Sequence, residues 1–101
     1  SGPAAVEILE QYGYEVVETV LIPDEQKQIE RELCRLSDSR QVDLILTSGG
    51  TGFSMRDRTP EATLAVAHRL VPGISEAIRA GSMELTKRAM LGRGQSVVRK
   101  R

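Results

Sequence analysis

Val42-Asp43-Leu44-Ile45-Leu46-Thr47-Ser48-Gly49-Gly50-Thr51-Gly52 is the stretch that decides how this chain folds. Residues 42–47 are almost continuously apolar, the pattern of a strand covered on both faces. The glycines that follow put a flexible loop at the strand's carboxyl end, where open α/β sheets take their ligands. Glycine admits positive φ and lets a phosphate approach with no Cβ in the way. Successive backbone N–H groups can form an anion nest, with the Ser48 and Thr51 hydroxyls as further donors. Thr47, Ser48, Gly49, Gly50, Thr51 and Gly52 are therefore candidate phosphate-binding residues; a plain glycine turn is the competing reading. No Gly-Lys-Ser/Thr follows, and the spacing is G-G-x-G, so neither a Walker A loop nor the dinucleotide fingerprint is present.

Working outward, residues 48–58 read as a long loop, and Thr59-Pro60-Glu61 opens a helix with Thr as N-cap, Pro in the first turn and Glu near the positive end. Upstream, Ser37-Asp38-Ser39 is a turn cluster. Before it, Ile29, Leu33 and Leu36 share one face of a helix over Glu25–Ser37, with Asp24 as N-cap. Glu15–Ile22 is rich in Val, Thr and Ile and reads as a strand stopped by Pro23. A first helix starts at Ser1-Gly2-Pro3, repeats Ala5, Ile8, Leu9 and Tyr12, and ends on Gly13. Downstream, Val71-Pro72-Gly73 breaks the third helix. A fourth follows over Ile74, Ala77 and Ile78 and ends at Gly81, and Gln95–Arg99 suits a short strand or hairpin arm. This alternation predicts an α/β fold: a three-layer sandwich with a mostly parallel sheet and helices on both faces. The 101 residues fit one domain. Two strands are too few for such a sheet, so strands are expected to be missing at both ends.

Two acids stand out. Asp57 lies in Arg56-Asp57-Arg58 after the glycines, and Asp24 follows the other strand, so parallel strands would bring both to one edge of the sheet. Carboxylates placed there suit Mg²⁺, which takes one or two of them together with substrate phosphates and waters. N-capping is the competing role for Asp24, and a surface ion pair for Asp57.

Composition removes other classes. Lys and Arg number 14, Asp and Glu 14, giving zero net charge and no long-range pull toward nucleic acid or anionic membrane. The basic run Lys87, Arg88, Arg93, Arg99, Lys100 and Arg101 contains no acid; it is either a phosphate-facing patch or a solvated chain end. Cys34 is the single cysteine, so no internal disulfide can form, which fits a cytoplasmic protein. With one histidine as well, there are too few ligands for tetrahedral zinc. His68 is expected on a helix, in a surface or packing role.

The residues 43–54 together with Arg56-Asp57-Arg58-Thr59-Pro60-Glu61-Ala62-Thr63 closely resemble the molybdopterin adenylyltransferase family of molybdenum-cofactor biosynthesis. The resemblance extends to Leu21-Ile22-Pro23-Asp24-Glu25, Val71-Pro72-Gly73 and Arg88-Ala89-Met90-Leu91. It implies transfer of AMP from Mg-ATP to molybdopterin, with pyrophosphate released. It also implies Asp24 and Asp57 as catalytic and Mg²⁺-binding residues, Glu61 alongside the glycine loop in the nucleotide site, and Ser82 and Arg93 as substrate contacts. A homotrimer is implied too. The chain departs from the family in lacking a first strand and C-terminal strands, and in carrying Leu91-Gly92-Arg93 where members often have Leu-Ser-Arg. A non-catalytic pterin- or nucleotide-binding module and an oligomerisation scaffold are the alternatives.

Overall fold

The computed structural model describes residues 2–100; Ser1, expected at the start of the first helix, and Arg101, in the basic run, lie outside the described residues. Helices form where the apolar spacing calls for them: α1 (Gly2–Gln11), α2 (Gln26–Asp38), α3 (Thr59–Val66) and α4 (Pro72–Ser82). A 3-10 helix covers Lys87–Leu91, and two short strands, β1 (Arg69–Leu70) and β2 (Val97–Val98), complete the order. α1 closes as glycine capping requires. Gly13 takes φ +89°, its N–H donates to the Glu10 carbonyl and that of Tyr14 to Leu9, both at 3.1 Å, satisfying carbonyls the helix leaves bare.

The core lies between α2 and α3. Ile29 is 7% exposed, Ala62 0% and Val66 8%; Ala62 offers only a methyl, so the helices meet closely there. Two capping expectations are corrected. Glu25 rather than Asp24 stands at the N-cap of α2, in extended backbone, and no side chain caps that end. Arg58 precedes α3, so Thr59 lies inside the helix, and its N–H donates to the Gly50 carbonyl at 3.2 Å. The glycine loop thus supplies the acceptor that a capping side chain would otherwise provide.

The expected sheet is only partly present among the described residues. Residues 15–22 and 42–47 belong to no helix or strand, with a bend at Asp43, and the one sheet among the described residues is the antiparallel pair β1–β2, with Arg69 opposite Val98 and Leu70 opposite Val97. A strand is defined by its ladder, and an apolar run without a neighbour to bond cannot form one. Val17, Leu44 and Leu46 remain 59%, 57% and 60% exposed. Of Gln95–Arg99, only Val97–Val98 is strand. Its pairing extends through His68 N–H to the Val98 carbonyl (2.9 Å) and Val71 N–H to Ser96 (2.8 Å). These bonds draw residues 68–71 out of the helix, so α3 ends at Val66 and His68 is not helical.

Within the basic run, Arg99 and Lys100 are tied to the end of α2. Arg99 donates to Asp38 at 3.0 Å and to the Val66 carbonyl at 2.9 Å, and Lys100 reaches the same carboxylate at 3.4 Å. Asp38 is the last residue of α2, where the helix dipole disfavours a negative charge; the two cations offset this. Arg99 foremost holds the Asp38 carboxyl below the usual aspartate range.

Candidate functional site

The loop after Thr47 turns on two successive left-handed residues, Gly49 (φ +88°) and Gly50 (φ +71°), a conformation that costs other L-residues about 1–2 kcal/mol each. A Cβ on Gly50 would also run into the Thr59 side chain, 3.0 Å from its Cβ. Gly52 needs no positive φ, but a Cβ there would lie 2.7 Å from Asp57 Oδ2. One glycine is therefore fixed by backbone angle, one by space, and Gly50 by both.

The loop spends its carbonyls and keeps its amides. Gly50 O accepts from Thr59 N–H and Thr51 O from Arg93 N–H, both at 3.2 Å, while Gly52 O accepts from Arg93 Nε at 2.8 Å. The N–H groups of Ser48, Gly49, Gly50, Thr51 and Gly52 donate to no acceptor among the described residues. Unspent backbone donors in successive residues are what an anion nest requires.

Asp57 turns toward this loop. Its Oδ2 accepts from Ser54 N–H at 3.0 Å, and its own N–H donates to the Ser54 carbonyl at 2.9 Å. The adjacent arginines do not pair with it: Arg58 donates to Gln26 Oε1 at 2.9 Å. That bond ties the residue preceding α3 to the first residue of α2. Asp24 and Asp57 each stand two residues ahead of the helices so tied. Asp24 is exposed. No group of three or more His, Cys, Asp or Glu forms a cage among the described residues. A metal held here would take one or two carboxylates and draw its remaining ligands from phosphates and water, the habit of Mg²⁺.

Glu61 and Arg93 form an ion pair at 2.6 Å. The Arg93 guanidinium holds the Glu61 carboxyl below the usual glutamate range, helped by the residue's own backbone N–H and by the charge of Arg58. Arg93 also donates to the Asp57 carbonyl at 2.7 Å. Ser82, the last residue of α4, stands elsewhere, on the wall of a largely apolar groove of about 680 Å³. Residues 42–47, Gly49 and Thr51 border the same groove, whereas Asp24, Asp57, Glu61 and Arg93 do not. The structure thus groups loop, Asp57, Glu61 and Arg93 on one side, and loop and Ser82 on the other. Sequence reasoning missed Arg79, which donates to the Gly92 and Gly94 carbonyls at 3.3 and 2.9 Å and steadies the approach to Arg93. One arginine in the last turn of a helix gives no signal of such a role.

The family described as "Probable molybdopterin binding domain" matches residues 1–101. The chain belongs to that family. The molybdopterin adenylyltransferase of Escherichia coli strain K12 is 51% identical over 84 residues, covering 83% of this chain and 43% of the relative. That of Helicobacter pylori is 38% identical over 101 residues, covering 98% and 57%. This chain therefore spans about half the length of these curated relatives. The structure of the molybdopterin biosynthesis enzyme MoaB from Thermus thermophilus superposes with a TM-score of 0.88 at 43% identity, over 97% of this chain and 62% of that one. At that agreement nearly the whole trace follows an α/β family fold. Among the described residues, no helix is long and apolar enough to cross a membrane.

Proposed function

We propose that the complete protein is a molybdopterin adenylyltransferase of molybdenum-cofactor biosynthesis, with residues 1–101 forming part of its single catalytic domain. The observation that carries this reading is the glycine turn with five unspent amides beside the Asp57 carboxylate. In the reaction, a phosphate oxygen of molybdopterin attacks the α-phosphorus of ATP. The bond to the bridging oxygen breaks, and pyrophosphate leaves with that electron pair. The loop amides grip the polyphosphate and hold the α-phosphorus in line, so catalysis is chiefly positioning and electrostatic stabilisation. Asp24 and Asp57 are the residues to hold Mg²⁺, which when bound would neutralise charge on the phosphates. Glu61, joined through Arg93 to the Gly52 carbonyl, belongs to the nucleotide side of the site, and Ser82 faces the pterin side across the groove.

Three further features belong to this proposal. The segments 15–22 and 42–47 become strands of a mostly parallel, three-layer sandwich once the remaining strands are present. The protein works as a homotrimer, and it works in the cytoplasm.

The test is pyrophosphate release by the full-length protein given molybdopterin, ATP and Mg²⁺. Asp57→Asn is expected to cut turnover by about 100-fold or more while pterin still binds. Normal turnover by a folded Asp57→Asn protein would remove the carboxylate from the mechanism. No adenylylation by the wild-type protein would remove the enzyme.

A further inference from the structure

Arg93 was expected to touch substrate, but its donors are already engaged. Nε bonds the Gly52 carbonyl at 2.8 Å, and Nη1 bonds Glu61 Oε2 at 2.6 Å. Nη2 bonds the Asp57 carbonyl at 2.7 Å and reaches Glu61 Oε1 at 3.5 Å. Four contacts from a group with five N–H donors leave little with which to hold a ligand. The backbone adds a fifth tie, from Arg93 N–H to the Thr51 carbonyl at 3.2 Å.

We infer that Arg93 is a positioning residue: one guanidinium fixes the last glycine of the phosphate loop, the backbone of the Asp57 carboxylate and the first turn of α3 at their mutual spacing. The points it joins are those the proposed function needs held together, and the inference rests on that reading. Every acceptor it uses is a backbone carbonyl or the Glu61 carboxylate, so the Asp57 carboxylate and the loop amides stay free of it. A planar fork can address three directions at once, whereas a lysine ammonium on a flexible stem cannot reproduce them. Glu61 plays the complementary part. Its charge orients the fork, and its lowered pKa keeps that charge in mildly acidic solution.

The experiment uses the full-length protein and its Arg93→Lys, Arg93→Gln and Glu61→Gln variants. Backbone amide hydrogen exchange is measured at Thr51–Asp57, with kcat and the molybdopterin KM from pyrophosphate release. Both Arg93 variants are expected to exchange about tenfold faster across Thr51–Asp57 and to lose about 10–100-fold in kcat, with KM within about twofold of wild type. Glu61→Gln, which keeps an acceptor but loses the charge, is expected to fall between them and wild type in exchange. Where Arg93→Gln fails to fold, Arg93→Lys and Glu61→Gln carry the test. A raised KM at unchanged kcat would overturn the inference in favour of a substrate contact, and so would unchanged exchange in Arg93→Lys. Faster exchange in a wild-type background that never adenylylates would sink the functional reading and leave the clamp standing.

Discussion

Replacing the three loop glycines one at a time by alanine separates backbone strain from crowding, because the structure gives each a different burden. Gly49 sits at φ +88° with nothing within 4 Å of the place a methyl would take, so Gly49→Ala carries strain alone, about 1–2 kcal/mol. Gly52 has no positive φ, and its added methyl meets only the carboxylate tip of Asp57 at 2.7 Å. That tip can swing away, at the cost of its bond to Ser54 N–H, about 0.5–1.5 kcal/mol. Gly50 has φ +71° and the Thr59 side chain in the way, at the first turn of a packed helix. Strain of about 1–2 kcal/mol adds to overpacking of about 1–3, giving about 2–5 kcal/mol. Urea unfolding at equilibrium measures all three. The expected order of loss is Gly50→Ala, then Gly49→Ala, then Gly52→Ala. Affinity for Mg-ATP should rank Gly52→Ala far lower than its stability does, since it displaces Asp57. A Gly50→Ala protein as stable as Gly49→Ala would refute the steric account of the loop.

Acid should weaken the fold through three carboxylates that titrate lower folded than unfolded, Glu61 beside Arg93, Asp38 beside Arg99 and Glu32 beside Arg35. Their contribution is full above the unfolded values of about 4 and is lost as pH falls through the folded ones. In Glu61→Gln that part of the acid dependence should be absent from unfolding curves taken below about pH 4. Ala62→Leu should cost about 1–3 kcal/mol by overpacking a wholly buried site between α2 and α3, read as a lowered Tm. Arg99→Ala should free the β1–β2 end from α2, and faster amide exchange at His68 and Val98 is the expected result.

The helices were legible because helical periodicity needs only the chain itself: Ile29, Leu33 and Leu36 mark one face whatever lies against it. The glycine loop was legible for the same reason, since φ at Gly49 and Gly50 is a local demand. The strands were not, because 42–47 has the composition of a strand and lacks a neighbour to make it one. Capping failed by a single residue: Asp24 is a favoured cap, but the helix starts past Glu25. Asp57 was legible as a residue near the glycines, whereas its freedom from Arg56 and Arg58 depended on Gln26, 32 positions from Arg58. The Arg93 clamp joins positions 32 to 41 apart, and no periodicity encodes that.

The unladdered run at 42–47 carries a hazard of its own. An apolar stretch with half-exposed leucines is suited to intermolecular strand pairing. Asp43 is the single charge within it, and a charge inside such a run disfavours in-register stacking of like copies.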